Sequence, residues 1–374
     1  MSPLQKQISS TISWLRLPLV LMVIFIHSDG WGDYQSHSYI DGLVDISLYD
    51  LLRTLISQIL CQVAVPMFFI ISGYLFYMKF ERNEWNWELW RQKIKSRFYT
   101  LFIPYLSWNI LRFLFNEGLR LVQSLRHGDS FASWVMVALN KVSPKIFFNI
   151  GLTDTGYINW NSEMIMMFVP EHVPFWYIRD LILMVVLSPL LWFLIKRFRE
   201  AYVLTLVAMF IAMPFEYFDI RGIVFFSIGG YLQLFLQKHK IENIHISFSL
   251  LRICLMLFLM LVGINVFFRS ALPLTVILGI AAIVMLSMKL YTKIKIPEQL
   301  QKSSFFIFSF HMFLVGIFNT LYSMSHIEIQ NESVLIGLYL VLPIVYCMLS
   351  YATYLLVCQV PFLSLILLGR KIPK

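Results

Sequence analysis

Charge is what this chain has least of. Only 14% of its 374 residues are Asp, Glu, Lys or Arg, while 59% are hydrophobic. A soluble domain of this size cannot cover so much apolar surface, so a water-soluble globular reading is excluded. Cysteine is scarce too. Cys61, Cys254, Cys347 and Cys358 sit in or at the ends of apolar runs, with no CxxC pair and no Cys/His ligand spacing. That pattern speaks against a disulfide framework and against a metal site, and it leaves the four as packing residues. No charged or Gly/Ser-rich tract of domain size divides the chain, so residues 1–374 read as a single transmembrane domain. The basic excess, 30 Lys and Arg against 21 Asp and Glu, is split into short clusters with no nucleic-acid-binding motif. The bilayer, and not nucleic acid, is the partner these clusters report.

What is abundant is apolar sequence in runs of bilayer length, roughly 20 residues each. About ten transmembrane helices are predicted: Ser13 to Trp31, Leu55 to Tyr77, Phe98 to Phe115, Phe175 to Ile195, Tyr202 to Phe218, Gly222 to Leu236, Leu250 to Phe268, Leu272 to Leu290, Phe305 to Tyr322 and Val334 to Cys358. The fold class is all-α and polytopic. Every second connection is basic: residues 79–97, then Lys196, Arg197 and Arg199, then Lys238 and Lys240, then Lys289 to Lys302. Arg370, Lys371 and Lys374 follow the last run, whereas the first outer connection carries Asp29, Asp33, Asp41, Asp45 and Asp50. The positive-inside rule then places both termini in the cytoplasm of an inner-membrane protein. Lys6 ahead of an apolar run resembles a signal peptide, but no small-residue cleavage site follows, so this run is expected to be retained as the first span.

Two connections stand out. Residues 116–174 are far longer than a helix hairpin requires and mix Asn, Thr, Tyr and Trp with apolar residues, which suits a folded extracytoplasmic cap. Asn83 to Trp90, with three tryptophans beside charges, reads as a helix lying at the cytoplasmic interface. Internal repeats and inverted pairs of broken spans, common in transporters, are not evident.

Ionisable residues within the spans are few, and they are costly there. Arg16 and His27 flank an apolar run on the first span. Eleven helical steps bring them within about 20° of one face and roughly 16 Å apart along the axis. Arginine suits phosphate and histidine can take and return a proton, so this face could serve a long phosphorylated acyl carrier. Snorkelling by Arg16 and interfacial capping by His27 is the alternative. Within the second span, Pro66 and Ser72-Gly73-Tyr74 imply a kink or a close approach of backbones.

Taken together these stretches resemble the acyltransferase-3 family of integral membrane acyltransferases, over nearly the whole chain. The resemblance rests on Arg16 and His27; on Phe68, Phe69, Ser72, Gly73 and Tyr74; on the basic tract Arg91 to Arg97 leading to Pro104; on Phe175 to Leu181; and on Ser304 to Val315, which contains His311. It implies transfer of an acyl group, usually acetyl, from cytoplasmic acetyl-CoA to a hydroxyl of an extracytoplasmic glycan or lipid-linked sugar. Succinyl and other short acyl groups fit as well. Where relatives carry Arg-x-Arg, this chain has Lys95-Ser96-Arg97, and lysine lacks the bidentate fork.

His27 and His311 are therefore the expected catalytic residues. His27 would act as general base or as an acyl acceptor, and His311 would polarise the thioester or help bind the acceptor. Arg16, Arg97 and Lys95 would hold the CoA phosphates. Trp176, Arg179 and Asp180 are expected at the acceptor. Because neighbours on a helix do not face each other, Arg179 and Asp180 are each expected to find a partner elsewhere. Asp29, Glu163, Glu171 and His172 are further acceptor or orienting groups. The rival reading is an exporter of a polysaccharide or its precursor, with Arg16, His27 and Arg179 along its path.

Overall fold

The computed structural model describes residues 3–28, 47–80, 84–128, 130–142, 156–158, 164–166, 170–212, 220–239, 241, 244–327, 329 and 331–369. Asp29, Asp33, Asp41, Asp45, Glu163, Lys240, Arg370, Lys371 and Lys374 lie outside them. Among the described residues the fold is all-α apart from one short ladder, and the chain divides into two compact units. The first holds residues 1–87 and 187–354, the second residues 88–186 and 355–374.

Seven helical stretches among the described residues are long and apolar enough to cross a bilayer: Pro3–His27, Leu48–Tyr77, Val173–Ala212, Phe248–Phe267, Leu272–Leu290, Glu298–Ser325 and Glu332–Val357. The forty residues of Val173–Ala212 would extend about 60 Å as one helix, twice a hydrocarbon core. The backbone breaks within them at Arg199 (φ 48°, ψ −122°), in the basic stretch between the two runs read as separate spans.

The first unit is built from α1 (Pro3–His27), α2 (Leu48–Arg53), α3 (Ala64–Tyr77), most of α7 (Trp176–Ala212), α8 (Arg221–Lys238), α9 (Phe248–Phe267), α10 (Leu272–Leu290), α11 (Glu298–Ser325) and α12 (Glu332–Val357). A π-helical turn, Thr54–Ile59, and a 3-10 turn, Leu60–Val63, join α2 to α3. The α3–α8 contact explains the Ser-Gly-Tyr run. A Cβ on Gly73 would lie 2.1 Å from the carbonyl oxygen of Phe226, and one on Gly229 2.1 Å from that of Ile70. The two backbones touch reciprocally, an approach that only glycine permits. Beside them Tyr77 donates its hydroxyl proton to the Ser188 carbonyl at 2.9 Å. Elsewhere Phe258 and Val262 of α9 pack with Ala282 of α10, and the Asn265 amide bonds the Thr275 hydroxyl.

The second unit holds α4 (Trp87–Arg97), α5 (Ile103–Arg126), α6 (Phe131–Lys141), the start of α7 and α13 (Pro361–Leu368). A π-helical turn, Phe98–Phe102, joins α4 to α5. Trp108 donates from Nε1 to the Leu367 carbonyl at 3.0 Å, tying α5 to α13. Two boundaries differ from the sequence reading. The interfacial helix begins at Trp87, because Trp85 instead stacks on Phe80 with ring centroids 4.9 Å apart. The helix of the third predicted span does not end at Phe115: α5 runs on to Arg126, into the segment read as a loop from residue 116. Buried Glu117 sustains it, accepting from Arg120 at 2.7 Å and from Lys141 of α6 at 3.4 Å, while the Glu117 carbonyl receives the Trp134 indole. Further along, β1 (Gly156–Ile158) and β2 (Met164–Met166) pair antiparallel, with Tyr157 opposite Ile165.

Candidate active site

In the first unit, α1 stays helical through Pro18 and delivers His27 as its last residue. Packing of α1 along α11 brings His27 against His311, with imidazole centroids 5.4 Å apart and planes inclined at 37°. The two residues are 284 positions apart, so only the fold makes them neighbours. Their environments differ. His311 is fully enclosed, whereas His27 is half-buried and is the accessible member of the pair. The Nδ1 of His311 lies 3.3 Å from the Ile307 carbonyl. A carbonyl can only accept, so that bond puts the proton on Nδ1 and leaves the lone pair on Nε2.

The end of α1 is held by groups that the sequence reading passed over. Ser57, in the π-helical turn, lies 2.7 Å from the Phe25 carbonyl and 2.7 Å from the Tyr339 hydroxyl. Its proton goes to the carbonyl, so Tyr339 donates to Ser57. Thr54, Ser57 and Gln58 are all buried, and so is Arg53, which is 2% exposed and 3.5 Å from Asp50. At the neighbouring corner the Tyr49 amide donates to Glu332 of α12 at 2.9 Å. Positions 54, 57 and 58 share one helix face, a polar stripe inside an apolar run that could have flagged them. The π-helical turn that carries them is a form that recurs at functional sites.

Arg16 rides the same helix as His27 but is exposed. In the second unit Lys95 is exposed near the end of α4 and Arg97, its last residue, is half-buried. Desolvation lowers the Arg97 pKa, the Tyr177 phenol acts in the opposite direction, and the guanidinium stays cationic at neutral pH. Trp176, at the start of α7, is half-buried beside buried Tyr177.

Arg179 and Asp180 pair with each other, a contact that the helix geometry had not suggested. The Arg179 Nε donates to Asp180 Oδ1 at 2.8 Å and a terminal nitrogen lies 2.8 Å from the same oxygen. Their Cβ directions diverge, but the arginine stem is long enough to fold its guanidinium back onto the adjacent carboxylate. Both are nearly buried, at 8% and 9% exposure, where an ion must be compensated nearby. His172 is fully enclosed, its ring against Trp108 and Phe175, and its amide donates to Asn109 at 2.9 Å. Glu171 accepts from the Asn116 amide at 2.7 Å. Among the described residues, no cluster of His, Cys, Asp or Glu could hold a metal ion.

Comparison with known proteins bears on this arrangement. Residues 10–352 match the profile of an acyltransferase domain family. The chain is also 25% identical, over 236 residues, to the succinoglycan biosynthesis protein ExoH of Rhizobium meliloti (strain 1021). That match covers 62% of this chain and 55% of the relative's length. No solved structure matches.

Proposed function

The chain belongs to the acyltransferase-3 family and is a membrane acyltransferase, and from that premise we propose that it moves an acyl group, acetyl in the first instance, from cytoplasmic acyl-CoA to a hydroxyl of an extracytoplasmic glycan or lipid-linked sugar. The observation that carries the proposal is the His27–His311 pair assembled from the first and eleventh helices. The half-buried His27 is the general base. Its neutral imidazole takes the proton of the acceptor hydroxyl, the oxygen attacks the thioester carbonyl, the carbon–sulfur bond breaks, and the departing CoA thiolate recovers the proton from the imidazolium. His311, enclosed and 5.4 Å away between ring centroids, orients His27 and stabilises the cation that forms.

Arg16, Arg97 and, with a point charge only, Lys95 are the groups assigned to the donor's phosphates. Trp176 and the Arg179–Asp180 pair are assigned to the acceptor. The glycan reading is supported by the relative's association with succinoglycan biosynthesis. The orientation in the inner membrane follows the basic connections: ten spans, both termini cytoplasmic.

The test is binding of CoA and acetyl-CoA to the purified protein in nanodiscs, for wild type, Arg16→Ala, Arg97→Ala and His27→Ala. Saturable binding that both arginine variants weaken and His27→Ala preserves supports the assignment. A folded wild type that binds neither compound overturns acyl-CoA as the donor.

A further inference from the structure

A groove of about 580 Å³ opens in the first unit where the end of α3 and the chain following it meet α7. Its walls are Trp85, Trp87, Trp192 and Phe193, and its two charged residues are Glu84 and Lys196. None of these has a part in acyl transfer as proposed above. Trp85 and Trp87 stand nearly perpendicular, at 81° with centroids 5.5 Å apart, and Trp85 and Trp192 are inclined at 55°. Lys196 places its ammonium 5.6 Å from the Trp192 ring, and the Trp85 Nε1, buried, has no hydrogen-bond acceptor among the described residues. Trp87 and Phe193 are 56% and 58% exposed, so the rim is open to whatever surrounds this end of the helices.

The angles choose between ligands. A nucleobase is gripped between parallel faces about 7 Å apart, two contact distances. The one near-parallel pair here, Phe80 on Trp85 at 4.9 Å and 19°, is closed on itself. Inclined and perpendicular ring faces suit a cation instead, as in aromatic cages for ammonium groups. The charges complete a zwitterionic match: Glu84 for an ammonium, Lys196 and the unused Trp85 N–H for a phosphate. Tryptophan at this level, beside Lys79 and the Lys196-Arg197 pair, is also where lipid headgroups lie.

We propose that this groove binds the phosphoammonium headgroup of a membrane lipid, phosphatidylethanolamine, holding its ammonium in the tryptophan walls against Glu84 and its phosphate against Lys196. The proposal stands independently of the acyl-transfer reading.

Native mass spectrometry of the delipidated full-length protein, titrated with phosphatidylethanolamine or phosphatidylglycerol, tests it. Phosphatidylethanolamine is expected to be retained about tenfold better than phosphatidylglycerol. Trp87→Leu and Glu84→Gln, both at exposed positions that leave the core untouched, should each cost about fivefold for phosphatidylethanolamine alone. Lys196→Gln should weaken both lipids. Equal retention of the two lipids by wild type would overturn the proposal, as would an unchanged preference in the Trp87→Leu/Glu84→Gln double variant. Displacement of phosphatidylethanolamine by adenosine 3′,5′-bisphosphate would overturn it in favour of a nucleotide.

Discussion

The first unit encloses its histidine pair, whereas the two second-unit cations assigned to the donor, Lys95 and Arg97, are exposed or half-covered. His311 is sealed, His27 half-sealed, and the helix end that bears His27 is fastened by Ser57 and Tyr339. Lys95 stands in the open on a helix with no buried residue, and Arg97 is only half-covered. The difference matches what each task requires. A general base must be held within tenths of an ångström of a productive geometry, so it is built where packing fixes it. A polyphosphate carrier that arrives and leaves needs charge on accessible side chains, and their flexibility costs little.

Four substitutions probe that contrast. The largest effect is expected from Gly73→Leu, because even a Cβ there meets the Phe226 backbone at 2.1 Å. Loss of monodisperse protein on size exclusion is the expected result, and a well-folded variant would mean that the α3–α8 contact is not a support of the buried unit. His311→Gln should follow, with kcat down by about two to three orders of magnitude and CoA affinity intact. If CoA affinity fell and kcat held, His311 would belong to donor binding. Arg97→Ala should invert that pattern, raising the KM for acyl-CoA about tenfold at nearly constant kcat, with partial recovery in Arg97→Lys.

Ser57→Ala is the finest of the four. It removes the hydroxyl that ties the Phe25 carbonyl to Tyr339, so kcat should drop about fivefold while KM for the donor stays put. An unchanged kcat would show that the end of α1 is set by apolar packing alone.

How much of this was legible in the sequence depended on whether the signal was local. Arg16 and His27 are linked by one unbroken helix, so their shared face follows from 3.6 residues per turn. His311 could be singled out as an ionisable group in an apolar run, but nothing local says that it meets His27. The Ser-Gly-Tyr run announced a close approach without naming its partner, because Phe226 is brought there by α8. The polar stripe at Thr54, Ser57 and Gln58 was hidden by the strong hydropathy around it. The mutual pairing of Arg179 and Asp180 was missed because Cβ directions were taken to decide contact, when side-chain length does. The extension of α5 was not read because Glu117 is enclosed there partly by α6, whose Lys141 lies 3.4 Å from it, a helix that the composition of the segment did not reveal.

The central claim is that His27 removes the acceptor proton while the cations hold the donor. The measurement that bears on it most directly is label transfer from acyl-labelled acetyl-CoA to glycan by proteoliposomes of wild type and His27→Ala, with CoA binding measured on the same preparations. The account predicts that wild type transfers label and that His27→Ala binds CoA normally but transfers at less than about one hundredth of the wild-type rate. Substantial transfer by the folded His27→Ala protein would contradict it.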